Sequence, residues 1–358
     1  MVTNFEAVLL VGTYTIGGEP RNSDGRGLHV LGHDKDGRLT AVEAVPIANP
    51  SYAAYDARRG VLYSVVEQEA GAVVSVAFGR AEGWRAPIFH ASTAGADPCH
   101  LAVHPDGRHL FVANYSSGSV AVFPLSADGQ LAASEPSQLI VHTGSGPDAE
   151  RQQAPHAHMV TVSPDGRFVL CTDLGTDRVL TYAFDAATGT LTTHSAAVLT
   201  GGAGPRHLAF HGSGRFAYLV NELSSTIVAC AYDEETGELA PGPELSVRSD
   251  ADPTSVNYPA AVRVSADDRF VYASNRVEDT IGVFAVESGG AALRLVEFVP
   301  CRGSWPRDIA LSADGGLLFA ANQRSDSITA FKVDAASGRL TAVGEPFPVA
   351  SPVSVLPV

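Results

Sequence analysis

The sequence predicts an all-β fold, a seven-bladed β-propeller of four-stranded antiparallel blades, and three observations lead there. One unit recurs six times, opening at Pro50, Pro98, Pro155, Pro205, Pro259 and Pro306, at intervals of 48, 57, 50, 54 and 47 residues. Each unit repeats one pattern: an opening proline, a short apolar run, a tight turn, and a second apolar run that in most copies ends in Asn or Asp. A period of about fifty residues built from short apolar runs and turns marks a propeller or a related strand array. Finally, the two ends are β-prone but lack the opening unit. Residues 8–14, 27–32 and 352–358 are therefore expected to combine into the seventh blade, which removes exposed sheet edges.

The copy opening at Pro98 shows the elements in order. Residues 100–104 form a first strand. Pro105-Asp106-Gly107-Arg108 is a turn, because proline presets φ and glycine accepts a conformation that other residues resist. Residues 110–113 form a second strand, 114–118 a loop, and 119–125 an alternating third strand. Ser126-Ala127-Asp128-Gly129 turns the chain into a weaker fourth strand. No linker or low-complexity stretch divides residues 1–358, which read as one domain. The longest irregular stretches, 17–26, 144–154 and 248–257, are expected to be rim loops.

Composition excludes several functions. Lys+Arg is 24 against Asp+Glu 39, a net charge of −15, which disfavours nucleic acid and anionic membrane as partners. The only lysines are Lys35, in an Asp-Lys-Asp-Gly turn, and Lys332, so Schiff-base chemistry is not expected. Any cationic pocket must be built from arginine, which suits planar carboxylate and phosphate groups. Cys99, Cys171, Cys230 and Cys301 fall in different repeats with no Cys-x-x-Cys pair, neither a disulfide framework nor a zinc pattern. The start carries no basic leader pattern, and no apolar run reaches membrane-spanning length. A reduced, cytoplasmic, soluble protein is expected, as monomer or dimer.

In a blade the start of the first strand and the end of the second lie at the same face. Two alignment columns therefore ring one channel mouth. The residue after the opening proline reads Ser51, Cys99, His158, Arg206, Ala260, Arg307, with His158 rather than His156 in register because the unit at Pro155 carries two extra residues. The residue after the second strand reads Glu67, Tyr115, Leu174, Glu222, Arg276, Gln323. Folding requires none of these side chains. Several arginines at one mouth of a cation-poor chain point to an anion site. Loop arginines are also commonly solvated or locally paired, so each has a bland alternative. Arg108, Arg167, Arg215 and Arg269 sit on the opposite, turn face with His104 and His211, and read as structural. His100 and His207 lie one step further into the first strand, as channel residues or ligands alike. His156 is either a loop residue or a second site histidine. No metal site is expected, since carboxylates and histidines do not cluster at ligand spacing.

The motifs Val11-Gly12-Thr13-Tyr14-Thr15, Asn49-Pro50-Ser51-Tyr52, Pro155-His156-Ala157-His158, Asp173-Leu174-Gly175-Thr176-Asp177-Arg178, Gly204-Pro205-Arg206-His207, Val220-Asn221-Glu222, Tyr258-Pro259-Ala260 and Ser274-Asn275-Arg276 span nearly the whole chain. In this series the chain resembles the bacterial lactonase family of seven-bladed propellers. That family includes the propeller type of 6-phosphogluconolactonase and is related to the fungal carboxy-cis,cis-muconate cyclase. The resemblance implies catalytic roles for His158, Arg206, Glu222 and Arg276, the same four that the columns select. The columns add Arg307. Cys99, His100, His156, Glu67 and Gln323 are expected near substrate, with Cys99 as a wall residue rather than a nucleophile.

The implied reaction is hydrolysis of a small anionic sugar lactone, 6-phosphoglucono-δ-lactone foremost, with no cofactor or metal. It needs an activated water, with Glu222 or His158 as base, one arginine at the oxyanion, and another on the phosphate. Two rivals stand beside it. A muconate-type lactonising cyclase would use the same arginines on carboxylates of a phosphate-free substrate. A non-catalytic propeller would present a flat, mixed-charge mouth and bind no small anion.

Overall fold

The structure, a computed structural model, describes residues 7–16, 25–79, 82–249 and 256–358. It contains seven four-stranded antiparallel sheets. Blade 1 comprises Ala53–Asp56, Val61–Val66, Ala72–Gly79 and Gly83–Ser92, and blade 2 comprises Pro98–Val103, His109–Asn114, Ser119–Pro124 and Gln138–Val141. Blade 3 is Ala157–Val162, Phe168–Asp173, Arg178–Asp185 and Thr190–Val198, and blade 4 is Pro205–Phe210, Phe216–Asn221, Thr226–Tyr232 and Leu239–Ser246. Blade 5 is Pro259–Val264, Phe270–Asn275, Thr280–Glu287 and Ala292–Pro300, and blade 6 is Pro306–Leu311, Leu317–Asn322, Ser327–Val333 and Leu340–Pro348. First strands of neighbouring blades meet all the way round, so the sheets form a closed ring with the first strands lining its axis.

Blade 7 is the composite the sequence predicts. Its inner strand, Pro352–Pro357, pairs with Ala7–Thr13, which continues into Leu28–His33 and Leu39–Val45. The register runs Leu9 with Pro357, Leu10 with Leu356 and Val11 with Val355. Gly12 marks the point of closest approach: a Cβ there would stand 1.9 Å from the Pro50 carbonyl oxygen and 2.4 Å from Ser354 Oγ. Only glycine fits where the closing blade abuts blade 1.

The second strands are continuous apolar runs because both their faces are covered. Val61–Val66 is buried at all six positions. Seven hydrophobic clusters occupy the seven blade interfaces; one packs Leu170 and Val179 of blade 3 against Leu208 and Leu219 of blade 4. Fourth strands face solvent, as in Thr190–Val198. The fourth strand of blade 2 starts only at Gln138, later than the turn at 126–129 implies, after a single bridge between Leu125 and Leu131.

On the turn face Arg108 binds Asp106 in its own turn and the Ala186 carbonyl of the next blade. Arg167 and Arg269 repeat this, reaching the Glu234 and Ala335 carbonyls. These arginines tie turns and neighbouring blades together. Of the expected rim loops, 144–154 is described and lies at the channel mouth; most of 17–26 and 248–257 lies outside the described residues.

Removing residues 352–358 should abolish cooperative unfolding. It strips Val353 and Val355 from the core and bares the edge of Ala7–Thr13. Two valines at about 1.5–3 kcal/mol each, plus a lost ladder, approach the whole stability of an ordinary domain. A thermal melt followed by circular dichroism checks this.

Candidate active site

The first strand breaks register at its mouth end in six blades: between Pro98 and His100, Ala157 and Met159, Pro205 and His207, Pro259 and Val262, Pro306 and Asp308, and, in blade 7, Pro352 and Ser354. The skipped residues include Cys99, His158, Arg206, Ala260 and Arg307. A bulge leaves its residue unpaired and re-aims the side chain. Bulges thus turn the first sequence column into a ring of inward-directed groups. In blade 7 the same place after Pro352 is held by Val353. The second column is completed there by Tyr14, which follows Thr13 as Glu222 follows Asn221.

A third ring lies outside these two. The residue before the opening proline has positive φ in six blades: Asn49, Asp97, Gly204, Tyr258, Trp305 and Ser351, at 41°, 50°, 63°, 47°, 64° and 47°. Left-handed backbone is costly for bulky residues and concentrates at functional sites. Asp97, Tyr258 and Trp305 of this ring wall the mouth.

The three rings enclose a cavity of about 310 Å³. Seven of the ten candidates line it: Glu67, Cys99, His158, Glu222, Arg276, Arg307 and Gln323. Arg206 lies one layer lower, in a smaller cavity beneath. His156 and His100 do not line the main cavity, contrary to expectation. His156 stacks on Tyr115 at 4.5 Å and takes its backbone anchor from Asp173, because the two extra residues of blade 3 carry the chain past the wall there. His100 is one residue beyond the bulge and so sits deeper, its ring tilted against Tyr52 with centroids 3.9 Å apart.

Glu222 is the hub. Arg151 reaches Oε1 at 2.7 Å, and Arg206 and Arg276 reach Oε2 at 3.1 and 2.6 Å. Burial alone would raise this carboxyl, but Arg276, Arg206 and Arg151 outweigh it and hold Glu222 well below the usual carboxylate range. Burial and the adjacent Arg276 pull Arg206 down, yet a guanidinium stays charged at neutral pH. Across the cavity Arg307 donates to the Tyr14 hydroxyl at 2.9 Å, and that hydroxyl donates to Glu67 at 2.9 Å. Aromatic faces carry the remaining cationic surface: Arg276 lies 5.5 Å from the Trp305 centroid, and Arg324 only 3.5 Å. In the main cavity four guanidiniums, Arg151, Arg276, Arg307 and Arg324, face three carboxylates, Glu67, Asp97 and Glu222, so the site is locally cationic in an acidic protein. Among the described residues no three His, Cys, Asp or Glu side chains group as metal ligands.

Burial, with the nearby Arg206, lowers His158 well below its ordinary value, so it is a neutral imidazole. Its Nδ1 is buried and without a hydrogen-bond partner. Burial and the Glu67 carboxylate push the Cys99 thiol up, away from nucleophilic chemistry; its Sγ sits 3.2 Å from the His158 carbonyl.

His100 and His207 are likewise lowered, chiefly by burial. Imidazoles that stay neutral when folded but charge when unfolded supply stability that is complete above about pH 6.5 and is lost as pH falls toward their lowered values. Three of them give a slope of about 4 kcal/mol per pH unit below that point. Replacing His100 with phenylalanine should remove about a third of this slope, read from melting curves between pH 4.5 and 7.5.

Residues 8–357 match the family described as lactonase, 7-bladed beta-propeller. The chain belongs to this lactonase family. It is 36% identical over 296 residues to 6-phosphogluconolactonase of Bacillus subtilis, covering 82% of each protein. It is also similar to the structure of the periplasmic gluconolactonase of Pseudomonas aeruginosa, with a TM-score of 0.90 and 32% identity over 98% of this chain and 99% of that one. A Lactobacillus plantarum protein superposes with a TM-score of 0.89 at 31% identity, over 98% and 99% of the two chains.

Several wall residues of this lactonase-family site escape the two sequence columns. Tyr14 was reachable by carrying the second column into the N-terminal strand, and Asp97, Tyr258 and Trp305 by aligning the position before each proline. Arg324 follows Gln323 directly. Arg151 had no such signal. It comes from the 144–154 loop, where Asp148 accepts the Glu150 and Arg151 amides and Gln152 binds Asp177 and the Leu174 carbonyl. The loop covers the one blade whose second-column residue, Leu174, is apolar and fully buried.

Proposed function

We propose that the chain hydrolyses a sugar lactone, 6-phosphoglucono-δ-lactone to 6-phosphogluconate, as a step of the pentose phosphate pathway in the cytoplasm. The observation that carries this reading is a neutral, buried imidazole and a ring of guanidiniums facing one cavity of about 310 Å³. The similarity to a 6-phosphogluconolactonase and a gluconolactonase supports the reaction class. Four free cysteines accord with a reduced compartment. A concave cationic cavity also argues against a flat display surface for protein partners.

The roles follow from depth. His158 and Arg307 line both the main cavity and the smaller one beneath it, so they stand at the floor. The lactone carbonyl belongs there. His158 takes a proton from the attacking water, and Arg307, with Arg276 beside it, faces the oxyanion of the tetrahedral intermediate. Glu222 is not the base. It is ion-paired with three guanidiniums and accepts a hydrogen bond from Arg151, and it serves to hold Arg151, Arg206 and Arg276 in place. Arg324, exposed at the rim on Trp305, grips the phosphate.

The test separates the two ends of the substrate. Arg324→Ala should raise KM for the phosphorylated lactone about 10- to 100-fold, the worth of a charge-assisted contact. It should leave KM for glucono-δ-lactone unchanged. Equal KM changes for both lactones would remove the phosphate assignment.

A further inference from the structure

Hydrolysis of a lactone near neutral pH must dispose of a proton. Water adds to the carbonyl carbon and gives one proton to the base. The bond from that carbon to the ring oxygen breaks, and the base returns its proton to this oxygen. The new carboxylic acid then ionises, so each turnover leaves one carboxylate and one extra proton. Towards the mouth that proton meets guanidiniums, which cannot accept it, and the carboxylates of Glu222, tied to three of them, of Glu67, which accepts from the Tyr14 hydroxyl, and of Asp97 at the rim.

The channel behind the floor is different. A cavity of about 10 Å³ lies under the main one and shares Glu67, Cys99, His158 and Arg307 with it. Among its lining side chains, Ser51 Oγ, His158 Nδ1 and His207 Nδ1 are buried without a hydrogen-bond partner, and Arg206 Nε has only its ion pair with Glu222. This volume, with two to four polar partners, is what one ordered water requires, about 10–15 Å³. Beyond it the rings continue along the axis. His158 is 5.3 Å from His207, His207 is 5.5 Å from His100, and His100 is 3.9 Å from Tyr52. Both ring nitrogens of His100 are buried and unpartnered. Tyr52 also lines a cavity of about 320 Å³ at the far ends of the first strands, with Arg263 and Asp308. Polar groups of this kind have no packing reason to stand in a row along an axis, and each costs free energy if left unsatisfied.

We propose that one water in the axial cavity joins His158 to His207, and that His207 and His100 pass the product proton to the opposite mouth of the channel; this rests on His158 being the base. The imidazoles act as carriers through intervening water, and the chemistry at the substrate carbon is unchanged by them.

The test has a structural and a kinetic arm. A high-resolution crystal structure of the wild-type protein should show a water within hydrogen-bond distance of His158 Nδ1 and His207 Nδ1. His207→Phe should lower kcat at least about tenfold with KM held within about twofold, a modest share of what acid–base groups contribute. Added imidazole should restore part of the rate, and the solvent deuterium isotope effect on kcat should rise. His207→Gln, a smaller polar replacement, should show the same pattern if the phenylalanine variant folds poorly. No water at that position, or wild-type kcat and isotope effect in both variants, overturns the relay. If His158→Gln is inactive in that case, only the relay falls. If His158→Gln is also fully active, the assignment of the base falls with it.

Discussion

Replacing His158 with glutamine should lower kcat for lactone hydrolysis by about 10²- to 10⁴-fold and leave KM within about twofold, the range that a general base supplies. The expectation rests on position and charge state together. His158 occupies the bulge of blade 3 at the cavity floor, 5.6 Å from the Tyr115 ring and in contact with the Cys99 wall. Burial and Arg206 lower its pKa well below the ordinary histidine value, which favours the neutral, proton-accepting form near neutral pH. The sign is testable. Because its pKa is depressed, the acid limb of kcat/KM should lie below pH 6.5, the ordinary histidine value, measured where melting curves show the protein still folded. An acid limb above pH 6.5 would point to a different base.

Replacing Glu222 with glutamine should cost both activity and stability. The variant keeps shape but leaves Arg151, Arg206 and Arg276 without their shared carboxylate. Removing one partner of a buried ion pair costs about 3–5 kcal/mol, and kcat/KM should fall at least about 100-fold as the guanidiniums move apart. The pH dependence has a definite sign. A carboxylate held below its ordinary range stabilises fully above about pH 4.3 and loses this as pH falls through its depressed value. The gap in stability between wild type and variant should therefore be constant near neutrality and close only in acid. Inorganic phosphate should raise the melting temperature of the variant more than that of the wild type, since the uncompensated arginines form an anion site. Equal melting temperatures for the two proteins would show that the cluster is not an interdependent unit.

Much of this was legible before any coordinates. The period fixed by six prolines is a packing requirement, because each blade must bury both faces against neighbours. The register that chose His158 over His156 follows from the same period and matches the bulge observed there. The terminal strands could be paired by elimination. What the residues could not reveal was depth. Cys99, His158, Arg206 and Arg307 share a column, yet the first two and Arg307 face the main cavity while Arg206 sinks beneath and props Glu222. That difference depends on side-chain direction at a bulge, which spacing does not encode. Glu222 and His158 both stood as possible bases in the sequence; the three guanidiniums around Glu222 are what leads us to propose His158. Arg151 was invisible because its loop has no periodicity and its role is set by long-range contacts to blades 3 and 4.

The most direct test is the rate of opening of freshly prepared 6-phosphoglucono-δ-lactone, coupled to 6-phosphogluconate dehydrogenase and corrected for spontaneous hydrolysis, with His158→Gln run alongside. The account predicts turnover far above the spontaneous rate in the wild-type protein and its loss in the variant. A wild-type rate equal to background would contradict it.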